Sequence, residues 1–232
     1  MSRVIFHDTV LEAVAGIPSG ATVMVSGFGS AGQPVQLIEA LLESAATDLT
    51  IVSNNAGGGD LGLAALIREG RVSKVVCSFP RQVDSWHFDA AYRAGSLELE
   101  LVPQGNLAER IRAAGAGIGA FFTPTGYGTP LAEGKETRVI DGRPFVLEHP
   151  IHAEVALVAA HRADRLGNLV YRRTARNFGP IMAAAATSTV VQVDDIVPTG
   201  SLDPEAIVTP CIYVDHVVQV ERDPGALIGA FL

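Results

Sequence analysis

The chain has 232 residues, 48% of them hydrophobic and only 18% charged, with 24 glycines, 13 prolines, two cysteines and a formal net charge of -8. A chain this long buries roughly 70–75% of its unfolded surface, so it needs no disulfide staples. Cys77 and Cys211, far apart and outside any CxxC pair, give no zinc framework and fit a reduced cytoplasmic location. Scattered Arg and Lys on an acidic chain exclude the footprint of a nucleic-acid binder; a start broken by His7 and Asp8 is not a signal peptide, and no apolar run reaches the ~18 residues of a membrane span. The low charge for a chain of this size is consistent with a surface partly covered by a partner.

In chain order, Asp8 is expected to cap an amphipathic helix over 9–15 that stops at Gly16. Four short apolar runs, 22–25, 49–52, 75–77 and 97–102, read as buried strands, and helical periodicity over 34–44, 61–70, 85–95 and 106–114 alternates with them. Strand starts recurring about every 25 residues match βα units with right-handed crossovers, so the expected fold is α/β: an open, mainly parallel sheet with helices on both faces. Trp86, Phe88 and Tyr92 read as one core-facing helical face.

After Gly115 the texture changes. Residues 121–130 are too rich in Gly and Pro for regular structure and read as a long loop, and Asp141-Gly142 between apolar stretches marks a tight hairpin, giving a β-rich excursion. Residues 154–160 and 169–171 read as strands flanking a turn at 164–168, 177–186 as a helix, and 190–193 and 212–220 as late strands. The expectation is one domain over 1–232.

Chemistry concentrates in the loops that follow the strands. Gly27-Phe28-Gly29-Ser30-Ala31-Gly32 is a literal G-x-G-x-x-G between strand and helix. A dinucleotide fold also needs an acid at the end of the second strand to hold a ribose hydroxyl, and that strand ends in Ser53-Asn54-Asn55, with Asp48 before it rather than after. What survives is a loop whose backbone N–H groups can approach an anion; a turn chosen only for tight packing fits the glycines as well. The later loops supply Asn54 and Asn55, then Arg81, then Gln104, and almost no acid. Singly these read as turn formers or a solvated charge; together they suit an anionic substrate or an oxyanion. His149 and His152 have no third ligand at a familiar spacing, so no metal site is expected. No G-x-S-x-G elbow or convincing nucleophile occurs, which points to a second chain that completes the site.

The run 21–34, an apolar strand leading into Gly27-Phe28 and on to Gly32-Gln33-Pro34, resembles the coenzyme A signature of class I CoA-transferases, departing from it at Ser19 and at Ser26, where the family has glycine. The resemblance continues through Ser53-Asn54-Asn55-Ala56-Gly57, 103–112, 123–129 and Ala175-Arg176-Asn177-Phe178, and points to the family's alpha chain. Residues 74–82, with Phe79-Pro80-Arg81, resemble the members acting on 3-oxoadipate rather than the acetoacetate type. The alpha chain of a succinyl-CoA:3-oxoacid (acetoacetate) CoA-transferase is the alternative, and a non-catalytic nucleotide-binding module a third reading from a different class. The resemblance implies transfer of CoA from succinyl-CoA to 3-oxoadipate, a step in aromatic-compound catabolism, through a glutamate on a separate beta subunit in a heterodimer or heterotetramer. No catalytic residue would then lie in this chain, Glu109, Glu133 and Glu148 included. Coenzyme A thioester would be substrate, with no permanently bound cofactor. Residues Ser26, Gly27, Phe28, Gly29, Ser30, Ala31 and Gly32 would bind CoA, Asn54 and Asn55 would line the site, Gln104 would contact the substrate carboxylate or carbonyl, and Arg81 would pair the distal carboxylate of a dicarboxylate.

Overall fold

In the computed structural model, which describes residues 4–221, the strands are β1 (Ile5–His7), β2 (Thr22–Val25), β3 (Leu49–Val52), β4 (Val72–Cys77), β5 (Glu98–Leu101), β6 (Phe121–Thr123), β7 (Thr137–Ile140), β8 (Arg143–Glu148), β9 (Ala153–Asp164), β10 (Leu169–Val170), β11 (Ala186–Val197) and β12 (His216–Gln219). The helices are α1 (Val10–Val14), α2 (Val35–Glu43), α3 (Leu63–Arg68), α4 (Trp86–Arg93), α5 (Gln104–Gly115) and α6 (Gly179–Ala185). The main sheet runs β1-β12-β11-β9-β2-β3-β4-β5, all parallel, and β10 adds to β9 as its antiparallel neighbour. The expected α/β architecture is therefore present, and β6, β8 and β7 form the separate antiparallel excursion.

Period-2 alternation divides the core. Val23, Val25, Ile51, Val75 and Cys77 face α1 to α4, whereas Met24, Val52, Val76, Ala156, Val158 and Val191 face α5 and α6. Strands covered on both faces lose the polar alternation of a half-exposed sheet, which is why β2 and β3 stand out in the sequence as plain apolar runs.

Several boundaries differ from the expectation. The cap of α1 is Thr9 rather than Asp8: the Thr9 hydroxyl accepts from the Glu12 N–H at 3.2 Å, and the Glu12 carboxylate reaches back to the N–H groups of Thr9 and Asp8. The 121–130 segment is not all loop, because pairing of Phe121, Phe122 and Thr123 with β8 makes β6 despite the Gly and Pro that follow. The Asp141-Gly142 hairpin is there, with φ of +49° and +75°, between β7 and β8. Strands β9 and β11 are far longer than 154–160 and 190–193; they pair from Ala153 with Ala186 to Asp164 with Val197, and this mutual ladder carries polar residues such as Thr189, Gln192 and Arg162 that interrupt the apolar pattern. The 212–220 stretch begins as a 3-10 turn, Cys211–Tyr213, and becomes strand only at His216.

Trp86, Phe88 and Tyr92 do not share a buried face. Phe88 is buried and stacks on Tyr92 one turn on, at a centroid distance of 5.7 Å, while Trp86 and Tyr92 are exposed. Positions two apart on a helix point some 200° away from each other, so Trp86 cannot follow Phe88 inward.

Candidate active site

The carboxyl ends of β2, β3, β4 and β5 lie side by side, so the segments 26–32, 53–60, 78–85 and 103–106 share one sheet edge, the position where open α/β sheets bind ligands.

The glycine segment folds as a tight turn. Phe28 and Ala31 exchange two backbone hydrogen bonds, 3.0 and 3.2 Å, leaving Gly29 and Ser30 exposed at the tip. Among the described residues the N–H groups of Gly29 and Ser30 donate to no protein group. The geometry needs glycine at two points in particular. At Gly32, φ is +75° and a Cβ would come within 2.4 Å of the Ala175 carbonyl oxygen; at Gly27, φ is +130° and a Cβ would lie 2.6 Å from the Gln33 side chain. Ser26, where the family pattern has glycine, is 1% exposed. Its hydroxyl donates to the Gly32 carbonyl at 2.8 Å and accepts from the Ala159 N–H at 3.2 Å, so the side chain shapes the turn from inside. At the start of α2 the Leu37 N–H donates to Gln192 Oε1 at 3.1 Å.

The next two loops are tied to each other. Ser78 Oγ donates to the Asn54 carboxamide oxygen at 3.1 Å, Asn55 bridges to Phe79 in parallel fashion, and Ser85 Oγ donates to the Gly57 carbonyl at 3.0 Å. Both asparagines are buried and use their side-chain oxygens within the protein, that of Asn55 accepting from the Gly57 N–H at 2.8 Å. Their carboxamide nitrogens donate to no group among the described residues. They are donors held in place with their hydrogens unspent.

Arg81 is more than half exposed and lines an open pocket of about 740 Å³ with Phe79, Gln82, Val83 and Asp84. Its Nε donates to Asp89 Oδ1 of α4 at 2.5 Å, which orients the guanidinium. Gln104 is exposed at the first position of α5. The structure thus brings Asn54 and Asn55 into direct contact with the segment carrying Arg81, and sets the glycine turn and Gln104 at neighbouring strand ends.

The chain offers this edge little in the way of a nucleophile. None of the four segments contains a glutamate. Glu148 lies outside the four segments but touches the last of them: it is buried, accepts from Asn106 Nδ2 at 3.2 Å and pairs with Lys135, so its carboxylate is already engaged, and Glu109 is held below the usual carboxylate range by its hydrogen bonds to Arg112. Asp60 pairs with His87 at 2.8 Å, and that bond keeps its carboxyl ionised to lower pH. Cys77, at the end of β4, is buried, and burial pushes its thiol up to about 12, so it stays protonated.

Asn177 has no role that its sequence context assigns, yet it is bonded to the glycine turn: its Oδ1 accepts from the Gly27 N–H at 3.1 Å and its Nδ2 donates to the Ala31 carbonyl at 2.8 Å. The only sequence signal is its place in the Ala175-Arg176-Asn177-Phe178 run.

This donor-lined edge lies on a parallel sheet, and residues 7–220 match the family Coenzyme A transferase, to which this chain belongs. It is 64% identical over 223 residues to a 3-oxoadipate CoA-transferase subunit of Pseudomonas putida, covering 96% of each chain. It is 59% identical to the protein of the same name from Acinetobacter baylyi, covering 94% of this chain and 96% of the relative. The fold superposes on glutaconate coenzyme A-transferase of Acidaminococcus fermentans with a TM-score of 0.83 at 22% identity, over 95% of this chain and 76% of the other. Among the described residues no helix is long and apolar enough to cross a membrane.

Proposed function

We propose that this chain is the alpha chain of a transferase that moves CoA from succinyl-CoA to 3-oxoadipate, as a single domain acting in the cytoplasm together with a beta subunit that supplies the nucleophile. The observation that carries the reading is an edge whose four loop segments hold unspent donors and no glutamate of their own, in a chain 64% identical to a protein named as a 3-oxoadipate CoA-transferase subunit.

In the proposed reaction the partner's glutamate carboxylate attacks the succinyl-CoA carbonyl and expels CoA thiolate, leaving a mixed anhydride. The thiolate attacks the glutamyl carbonyl, succinate departs, and a glutamyl-CoA thioester remains. The 3-oxoadipate carboxylate then repeats the two steps in reverse, so that 3-oxoadipyl-CoA leaves and the glutamate is regenerated. Each attack places negative charge on a carbonyl oxygen. The N–H groups of Gly29 and Ser30 and the amides of Asn54, Asn55 and Gln104 are the groups of this chain that answer that charge, and one such donor is typically worth about 3–4 kcal/mol. Arg81, anchored through Nε by Asp89, keeps its terminal nitrogens for the distal carboxylate of a dicarboxylate.

The test is reconstitution. The purified chain alone transfers no CoA between succinyl-CoA and 3-oxoadipate; mixed with its beta subunit it turns over, and borohydride or hydroxylamine traps the thioester on the beta chain. Transfer by this chain alone, or a thioester found on it, overturns the two-subunit reading, and CoA binding without transfer in the mixture leaves only a binding module. In the active complex, Arg81→Glu lowers kcat/KM for 3-oxoadipate about tenfold relative to acetoacetate, the loss expected of one solvent-exposed ion pair turned repulsive. An unchanged preference removes Arg81 as the selector, and a wild-type preference for acetoacetate reassigns the substrate.

A further inference from the structure

The glycine turn is closed by a side chain that lies 150 residues away from it. The Asn177 carboxamide makes four hydrogen bonds. Its oxygen accepts from the N–H groups of Gly27 at 3.1 Å and Phe178 at 2.7 Å, and its nitrogen donates to the carbonyls of Ala31 and Thr174, both at 2.8 Å. Two of these partners, Gly27 and Ala31, flank the turn on either side of its exposed tip; the other two belong to the segment that carries Asn177 itself. One planar group therefore holds both flanks of the turn and fixes them to the 3-10 turn Arg173–Arg176. The contact is close as well as polar, since a Cβ on Gly32 would meet Ala175 and the Asn177 nitrogen.

We infer that Asn177 is a positioning residue, clamping the 27–32 turn in the conformation that leaves the Gly29 and Ser30 N–H groups free for the oxyanion formed at the reacting carbonyl. The inference rests on the CoA-transferase reading. A turn with three glycines at positive φ, Gly27, Gly29 and Gly32, has many conformations open to it, and a donor contributes to the transition state only if it is already aimed when charge develops. Ser26 holds the inner side through Gly32 and Ala159, and Asn177 holds the outer side. Neither side chain needs to touch the substrate. The carboxamide is specific to the task, because closing the turn takes an acceptor for Gly27 and a donor for Ala31 on the same short side chain; aspartate offers only the first and alanine neither.

The experiment uses the complex reconstituted with the beta subunit and reads kcat per active site, with sites counted by the amount of glutamyl thioester trapped at the end point. Asn177→Ala lowers kcat per titrated site about 100-fold, the scale of a misplaced catalytic group, while the number of titratable sites per complex stays at the wild-type value. Asn177→Asp, which keeps the acceptor for Gly27, loses less, about tenfold, and carries the test if the alanine variant does not assemble. A purely structural role would do the opposite, reducing the count of titratable sites while those that remain turn over at the wild-type rate; that result, or wild-type kcat per site in both variants, overturns the inference. A wild-type complex that transfers no CoA overturns the functional reading first, and the positioning role with it.

Discussion

Glu148→Ala is expected to lower the unfolding free energy by about 3–5 kcal/mol, the cost of breaking a buried ion pair and leaving its partners uncompensated. Glu148 is 3% exposed and takes hydrogen bonds from Lys135 Nζ at 2.7 Å and Asn106 Nδ2 at 3.2 Å, with Arg110 Nε 3.7 Å away. The cluster does not stop there. Arg110 also meets Glu100 at 2.9 Å, and Lys74 bridges Glu100 and Glu98, so a line of alternating charge runs from the last strand of the excursion across α5 to β4 and β5. Burial pushes the Glu100 carboxyl up, and hydrogen bonds from Arg110 and Lys74 more than reverse it, holding that group below the usual range. Removing Glu148 leaves Arg110, mostly buried, with a single carboxylate, and detaches Lys135 from the body. Glu148→Gln keeps an acceptor for Asn106 and costs less. Urea unfolding of the isolated chain, followed by far-UV circular dichroism, reads both; a loss under about 1 kcal/mol for the alanine variant would mean that the cluster is solvated and not a clasp.

Gly32→Ala is the second large effect, and it falls on activity. The added methyl meets the Ala175 carbonyl oxygen at 2.4 Å on a backbone with φ of +75°, so the clash cannot be relieved by turning a flexible side chain. The turn must move away from the segment that holds it, and a displacement of about 1 Å in a catalytic loop is worth some 100-fold in rate. Gly20→Ala separates clash from backbone strain: Gly20 also has positive φ, +80°, but a Cβ there meets nothing within 4 Å, and the site is elsewhere. Its expected cost is about 1 kcal/mol of stability with unchanged kcat/KM. If Gly32→Ala turned over like the wild type in the reconstituted complex, the turn would have no part in the reaction.

The sheet is legible in the sequence where burial on both faces writes itself as short apolar runs, as in β2 and β3, and the helices between them follow from spacing. Strands β9 and β11 outrun their apolar stretches because their ends carry polar residues that find partners across or beside the ladder, Arg162 with Asp195, His161 with Asp194 and Asp164 with the turn at Leu166 and Asn168, and no local pattern announces such pairing. Strand β6 is invisible for a related reason, its three residues being strand only because β8 lies alongside. At the site, Gly27, Gly29, Gly32, Asn54 and Asn55 are legible as residue types with few other uses in a row. What Ser26 does is not, since a serine in place of glycine looks like a loss until Ala159 and Gly32 are seen on either side of it. Asn177 lies further out of reach, because its two flank bonds join positions that only the pairing of β2 with β9 makes neighbours.

That pairing has a consequence for how the molecule comes to be competent. Strands β2 to β5 are linked by short local crossovers, but the Thr22 N–H meets the Glu154 carboxylate 132 residues on. Closing so long a loop costs only about 1.5 kcal/mol more entropy than closing one of about 25 residues, so the seam is thermodynamically cheap; its difficulty is one of timing, since distant contacts are slow to find each other. Ser26 to Ala159 and Gly27 to Asn177 both bridge this seam. A newly made chain can thus possess every local element of the β2 to β5 half, the glycine turn included, and still hold that turn slack until the late strands dock. The donor site is thus completed by the docking of the late strands rather than by the loop that contains it.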